Sequence, residues 1–478
     1  MSNTLKESLF EKLCQLQCHF TWIPQKDNTD FSDMKLRLQD SIKLGVKYQA
    51  TSYNQLAFIN CQQGNYEEAI QNLKEAERIW REKHNYEFER RSIITYGNFA
   101  WVYYHMGQLT EAQTYLDKLE MICKPLSDGP RYTAMIPEVY GEKGWSLLSS
   151  AAEFYEEAKE CFEKALEKDC NNVEWNMGYA TALLRLENIS GVLENQERSQ
   201  PVRYLRRVLE LDPDDTVAMV MLALKLQEFN EAEKANELVK DALTKTPDLP
   251  YVLRYAAKFY RNRRDVNTAI DLLERALDFT PRSSFLHHQM GKCYSGKLLA
   301  LKKKDKSNNQ QKAELISKSK YHFQKAFELK PSFTFAKLDF ARICFENGEA
   351  DRAEEIHKSL LSLTDLALDH KQALDCQVGL FELNHKTSES NAIIYFLDGL
   401  KINHGSKQWK LCDSNLRKIL GKQIQRNPRN SKAFGILGMV HQLAGEKDEA
   451  VKCFEKALIF DPGNEEYLNA LSELSPST

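Results

Sequence analysis

Long apolar runs are missing from this 478-residue chain. No stretch approaches the roughly 18–20 uninterrupted apolar residues that a membrane-spanning helix needs. Residues Met1 to Gln15 carry Lys6, Glu7, Glu11 and Lys12 without an apolar core, so no secretory leader is expected. Paired cysteines are missing too. The 11 cysteines are scattered and odd in number, without CxxC spacing, which excludes a complete disulfide framework and favours a reduced, cytosolic compartment. Cys14 and Cys18 stand beside His19, but a metal site needs a second pair and none is visible. An excess of one charge is also absent: 65 basic residues face 68 acidic ones, for a net charge of −3. That balance excludes a protein coated with cations for duplex nucleic acid, yet allows a basic groove inside an acidic body. HExxH, P-loop and GxSxG signatures are all lacking, so neither enzyme activity nor a cofactor or metal is expected. Proline is sparse, 13 in all, and falls mostly at the ends of helical periods.

What the chain has instead is a repeat. Tyr53, Leu56 and Ala57 are followed by Gly64, Tyr66, Ala69, Leu73 and Ala76. The pattern returns as Tyr96, Phe99, Ala100, Tyr103, Gly107, Ala112 and Leu116, and again as Phe434, Leu437, Gly438, Gly445, Ala450, Phe454, Ala457 and Pro462. Small residues at the eighth and twentieth positions let two helices approach, and large ones between them fill the seam. Hairpins are anchored at Ala69, Ala112, Ala158, Ala235, Ala269, Ala353 and Ala450, with less regular ones at Ser319 and Ala392. The expected fold is an all-α tetratricopeptide-repeat superhelix, an α-solenoid coiled around a central positively charged groove or tunnel. Three segments are expected: residues 1–130 with two repeats, 131–335 carrying the groove, and 336–478 at the C-terminal end. Turn residues at Pro125 to Pro130 mark the first break. Insertions are expected at Glu187 to Gln200 and at Ser295 to Lys312, the second a polar, Lys- and Gln-rich loop that includes Lys302, Lys303 and Lys304. Leu363 to Trp409 reads as imperfect hairpins.

Helical arithmetic separates the positions that pack inside a hairpin from a second set on another face. In tetratricopeptide repeats that second set looks into the groove. In the repeat ending at Pro281 it comprises Tyr251, Arg254, Lys258 and Arg261, with Tyr255 adjacent. From Tyr251 to Arg264 there are five basic residues, four aromatics and no acid. The next repeat contributes Phe285, His288 and Lys292, with Gln289 alongside, and the one after contributes Phe335, Arg342 and Phe345. Cations alternating with planar rings suit a single-stranded nucleic acid, whose phosphates need Lys and Arg and whose bases stack on aromatic faces at about 1–3 kcal/mol each. The same pattern on an arbitrary helix is a packed core beside a solvated face; here the register puts cations and rings on one side.

Several longer strings resemble the interferon-induced proteins with tetratricopeptide repeats. They are Cys18-His19-Phe20-Thr21-Trp22, Gly97 to Gly107, Leu253 to Arg261, and Phe285 to Gly291, in family order along essentially the whole chain. The resemblance implies a cytoplasmic, nonenzymatic antiviral effector. Its partner would be the 5′ end of single-stranded RNA, a triphosphate or an incompletely methylated cap, sequestered from translation. Neither DNA nor membrane is implied as a partner; related repeat proteins or a homo-oligomer are. The implied RNA-binding residues are Arg37, Tyr155, Arg185, Tyr251, Arg254, Tyr255, Lys258, Arg261, His288 and Gln289. The implied cap-binding residues are Leu44, Trp145 and Glu174, although Trp145 falls at a position that ordinarily packs. Three positions depart from the family. A phosphate-binding lysine is Ser149 here, a glutamine is Ser41, and a tyrosine is Val217, which puts triphosphate recognition in doubt unless Lys43 or Lys47 compensates. A scaffold that assembles with related repeat proteins or signalling adaptors is the alternative, because tetratricopeptide grooves often bind peptides.

Overall fold

A computed structural model describes the chain except for residues 1, 24–30, 45–47, 127–128, 151, 191–197, 305–307, 403 and 475–478. Among the described residues all regular structure is helical. Lys47, Ser127, Asp128 and much of the Glu187 to Gln200 insertion lie outside them. The chain divides into two compact units, the first Met1–Leu186 with Glu194–Cys293 and the second Glu187–Leu193 with Tyr294–Thr478.

The first unit opens with helices Ser2–Leu13, His19–Trp22 and Ser32–Lys43. Helix pairs follow: Gln49–Gln62 with Tyr66–Lys83, Phe88–His105 with Leu109–Cys123, and Pro137–Ser150 with Tyr155–Leu166. Thr216–Glu228 pairs with Ala232–Lys245, and Pro250–Asn262 with Val266–Phe279. In the second unit Thr334–Glu346 packs on Ala350–Leu361, Leu368–Asn384 on Glu389–Leu400, and Ser431–Leu443 on Lys447–Phe460. The tetratricopeptide pairing expected from the sequence is therefore present in both units. No helix among the described residues is long and apolar enough to cross a membrane.

The small anchors explain why the pairs close. All nine anchor residues, from Ala69 to Ala450 and including Ser319 and Ala392, are 0% exposed. Where the other small position is glycine, an aromatic ring takes the space: a Cβ on Gly144 would meet Phe162 at 2.8 Å and one on Gly178 would meet the same ring at 2.3 Å. Hairpin turns use a left-handed residue after the first helix. Gly64 and Gly107 supply it at φ 77° and 75°, whereas Asn230 and Arg264 take it at 62° and 65° without glycine's freedom.

One expectation needs correcting. The described residues of Ser295 to Lys312 are mostly helical rather than a loop: helix Ser284–Lys304 takes in the first part and Asn309–Leu329 the last. Lys, Leu and Ala favour the helix, and Lys302 is drawn onto Glu346 at 2.8 Å.

Candidate nucleic-acid interface

Helix Pro250–Asn262 is the centre of the site. Proline at its first turn fixes the start, and Val252, Leu253, Ala256, Ala257 and Phe259 are buried against the unit. That leaves Tyr251, Arg254, Tyr255, Lys258 and Arg261 half-buried on the other side. The Arg254 guanidinium lies 4.5 Å from the Tyr251 ring centroid, 4.9 Å from Tyr255 and 4.4 Å from Phe285. Its Nε is buried without a hydrogen-bond partner. Three aromatic faces thus hold a desolvated cation, which is the geometry of strong cation–π contact.

Burial alone would push the Tyr251 phenol up, but Arg254, Arg185, a hydrogen bond with Tyr255 and, least, Arg37 pull it below its ordinary value. Arg185, on helix Val173–Ser190, lies 5.2 Å over the Tyr155 ring and donates from Nη1 to the Leu148 carbonyl. Among the described residues neither Arg185 nor Arg254 has a carboxylate partner. Arg37, on helix Ser32–Lys43, pairs with Asp33 at 3.1 Å and stays half exposed. Asp33 also accepts from Ser284 Oγ at 2.9 Å, which ties this helix to the start of Ser284–Lys304.

A second basic group continues along the same helix. Burial lowers the Lys258 pKa, Glu228 opposes this, and Arg261, Arg254 and Lys225 add to it. Arg261 donates to Gln289 Oε1, and Gln289 Nε2 lies 3.5 Å from His288 Nδ1. His288 and Gln289 are both buried. Lys292 is exposed.

Trp145 stands with two buried carboxyls, Glu174 and Glu142. The indole stacks on Tyr48, with ring centroids 5.6 Å apart and planes inclined by 28°, and meets the edge of Phe162 at 5.4 Å. Burial pushes Glu174 up to about 7, partly offset by Arg91 and by the approach of Trp145. Glu142, held by Asn54 Nδ2 at 2.7 Å, is pushed up to about 8 by burial, with Glu174 adding to the rise. Leu44 sits half-buried at the end of helix Ser32–Lys43. Ser149 donates to the Trp145 carbonyl at 2.8 Å, and Lys43 is exposed.

The fold therefore sets Arg254 among Tyr251, Tyr255 and Phe285, lays Arg185 over Tyr155, bonds Arg261 to Gln289 beside His288 with Lys258 in the field of Arg261 and Arg254, pairs Arg37 with Asp33, and brings Trp145 close to Glu174. It does not leave the later repeat free. Arg342, in the second unit, bonds Glu346 at 3.0 Å and Asp339 at 3.2 Å, while Phe335 packs on His370 and Phe345 on Phe381. Cys18 and His19 are also fully buried, His19 bonding Asn98 at 3.0 Å. Three members escaped the sequence reading. Lys225 stands alone in the apolar run Thr216 to Leu226 and pairs with Glu228 at 2.6 Å, a signal that was visible. Tyr48 and Glu142 gave none, because their neighbours come from distant helices.

Models of the tetratricopeptide repeat match residues 48–121 and 431–464. The human antiviral innate immune response effector IFIT1 is 38% identical over 454 residues, 94% of this chain and 95% of its own length. Human interferon-induced protein with tetratricopeptide repeats 2 is 34% identical, over 96% of this chain and 97% of its own. Among solved structures, the human IFIT1 dimer with m7Gppp-AAAA is similar with a TM-score of 0.84 at 38% identity, covering 95% of this chain and 99% of that one. The human IFIT1 dimer with PPP-AAAA gives 0.82 at 37%, with the same coverage.

Proposed function

The chain belongs to the interferon-induced proteins with tetratricopeptide repeats, and from that membership we propose that it is an antiviral effector that binds the 5′ ends of foreign single-stranded RNA and withholds them from translation. On this reading it works in the cytoplasm, carries out no chemistry, and assembles with copies of itself. Arg37, Arg185 and Arg254 neutralise the terminal phosphates, with Tyr155 and Tyr251 as their aromatic supports. Tyr255, Lys258, Arg261, His288 and Gln289 hold the following nucleotides. Trp145 stacks on a cap base, Leu44 walls it, and Glu174 accepts from its edge.

The observation that carries the proposal is the Arg254 guanidinium held among Tyr251, Tyr255 and Phe285 with its Nε buried and unpartnered among the described residues, in a chain similar throughout to a protein solved with capped and triphosphate RNA. Unpaired, desolvated cations repel one another and are retained where a polyanion completes them. Binding of one short RNA bearing a 5′-triphosphate, a cap or a 5′-hydroxyl tests it, with Arg254→Glu as control. The expected order places the triphosphate or capped end above the hydroxyl end, with Arg254→Glu weakening all three. Failure of every end to bind at moderate salt would overturn the proposal; equal binding would remove end recognition while leaving RNA binding.

A further inference from the structure

Tyr48 is a bulky residue held at φ 70° and ψ 37°, in the left-handed region. For a side chain of this kind that conformation is strained and persists only where surroundings enforce it. In this conformation the ring stacks on Trp145, whose other aromatic neighbour, Phe162, meets it in a T-shaped contact. The phenol is also pushed above its ordinary range, by burial first and then by Glu174, Asp215 and Asp212, so it lies within the field of Glu174. A purine stacked on Trp145 with its edge toward Glu174 would use the same ring face and the same carboxylate.

We propose that Tyr48 is a specificity-determining residue of the base site: its ring covers the Trp145 face on which the terminal base of a capped RNA stacks, so a capped end must displace it and a triphosphate end need not. The inference rests on the proposed RNA-end reading. It predicts that this chain discriminates against capped ends through its own aromatic side chain, over and above any contact to the phosphates.

The test measures binding of capped and 5′-triphosphate versions of one short RNA to wild type, Tyr48→Gly and Tyr48→Leu. Glycine accepts the left-handed backbone without strain, and leucine keeps bulk while losing the aromatic face, so one carries the test if the other folds poorly. Loss of a stacked pair should tighten capped RNA about two- to tenfold while leaving triphosphate RNA unchanged. Tyr48→Phe, which keeps the ring, should match wild type. Capped binding that is unchanged or weaker in both variants, or absent in wild type and variants alike while triphosphate RNA binds, overturns the inference and leaves the proposed function standing. Absence of binding to any RNA by wild type overturns both.

Discussion

Replacing Arg254 by methionine separates its structural role from its proposed role toward phosphate. The guanidinium sits 4.4–4.9 Å from three ring centroids, and each such contact contributes up to about 2 kcal/mol when desolvated. Against that attraction stands repulsion from the neighbouring cations, since Arg185 and Arg37 act on the same phenol and Arg254 depresses Lys258. Methionine keeps the apolar stem and removes the repulsion along with the cation–π attraction. Folding stability should therefore change by less than about 1.5 kcal/mol in either direction. RNA binding should respond far more. A charge-assisted hydrogen bond to phosphate is worth about 1.5–3 kcal/mol, which is about 10- to 150-fold in Kd. Removing one neutralised phosphate on a single strand should also flatten the slope of log K against log salt by about 0.7. Fluorescence anisotropy titrations of a short 5′-triphosphate RNA at several salt concentrations, with thermal melts alongside, read both quantities. An affinity loss without a change in slope would mean that Arg254 serves a base rather than a phosphate. No change in either would refute the reasoning.

Ser149→Lys should tighten triphosphate RNA about tenfold and leave 5′-hydroxyl RNA unchanged, since it adds a cation where Ser149 gives only a hydrogen bond to Trp145; absence of a gain in titrations would show that another cation already serves. Glu142→Gln tests the buried carboxyl through stability. The carboxyl is raised from 4.5 to about 8 by burial and stays bonded to Asn54, so the folded state binds its proton more tightly than the unfolded chain does and loses stability as pH rises between those values. Thermal melts should find the glutamine variant more stable than wild type by about 3–5 kcal/mol at pH 8 and nearly equal at pH 4.5, and a pH-independent difference would count against the assignment. Gly178→Ala should destabilise by about 1–3 kcal/mol in denaturant titrations, because its Cβ would meet Phe162 at 2.3 Å. Phe162 in turn abuts Trp145, so capped RNA should weaken more than triphosphate RNA in the same variant.

The repeat was legible because close helix approach tolerates few residue types, and alanine or serine at a fixed interval leaves a mark that no other arrangement demands. All nine anchors are 0% exposed for that reason. The Pro250–Asn262 helix was legible through the same register, since burying Val252, Leu253, Ala256 and Phe259 settles which way Arg254 and Lys258 face. Register could not reveal whether a cation is free. Arg342 sits in the equivalent place, yet Asp339 and Glu346, one turn to either side, take its charge, and that acidic flank could have been read from the chain. The Lys302 region was misjudged because polar composition suggested a solvated loop, whereas Glu346, 44 residues on, gives the lysine a partner and the helix a reason to continue. Tyr48 was out of reach: its place on Trp145 depends on a backbone conformation that tyrosine rarely adopts.

On the proposed reading Ser149 and Tyr48 act on opposite parts of one site, and the two can be told apart by which RNA end responds. Ser149 lies one helical turn beyond Trp145 and bonds its carbonyl, so a lysine at this position is expected to act on the triphosphate end. Tyr48 stacks on the Trp145 indole, and the shift of the Tyr251 phenol comes from other residues. If the two operate independently, Ser149→Lys improves the triphosphate end, Tyr48→Gly improves the capped end, and the double variant shows both gains to within about 0.5 kcal/mol of their sum. A double variant in which either change improved both ends equally would point to one diffuse electrostatic surface. In that case Trp145 would not be a base platform, and the buried carboxyls of Glu142 and Glu174 would need another purpose.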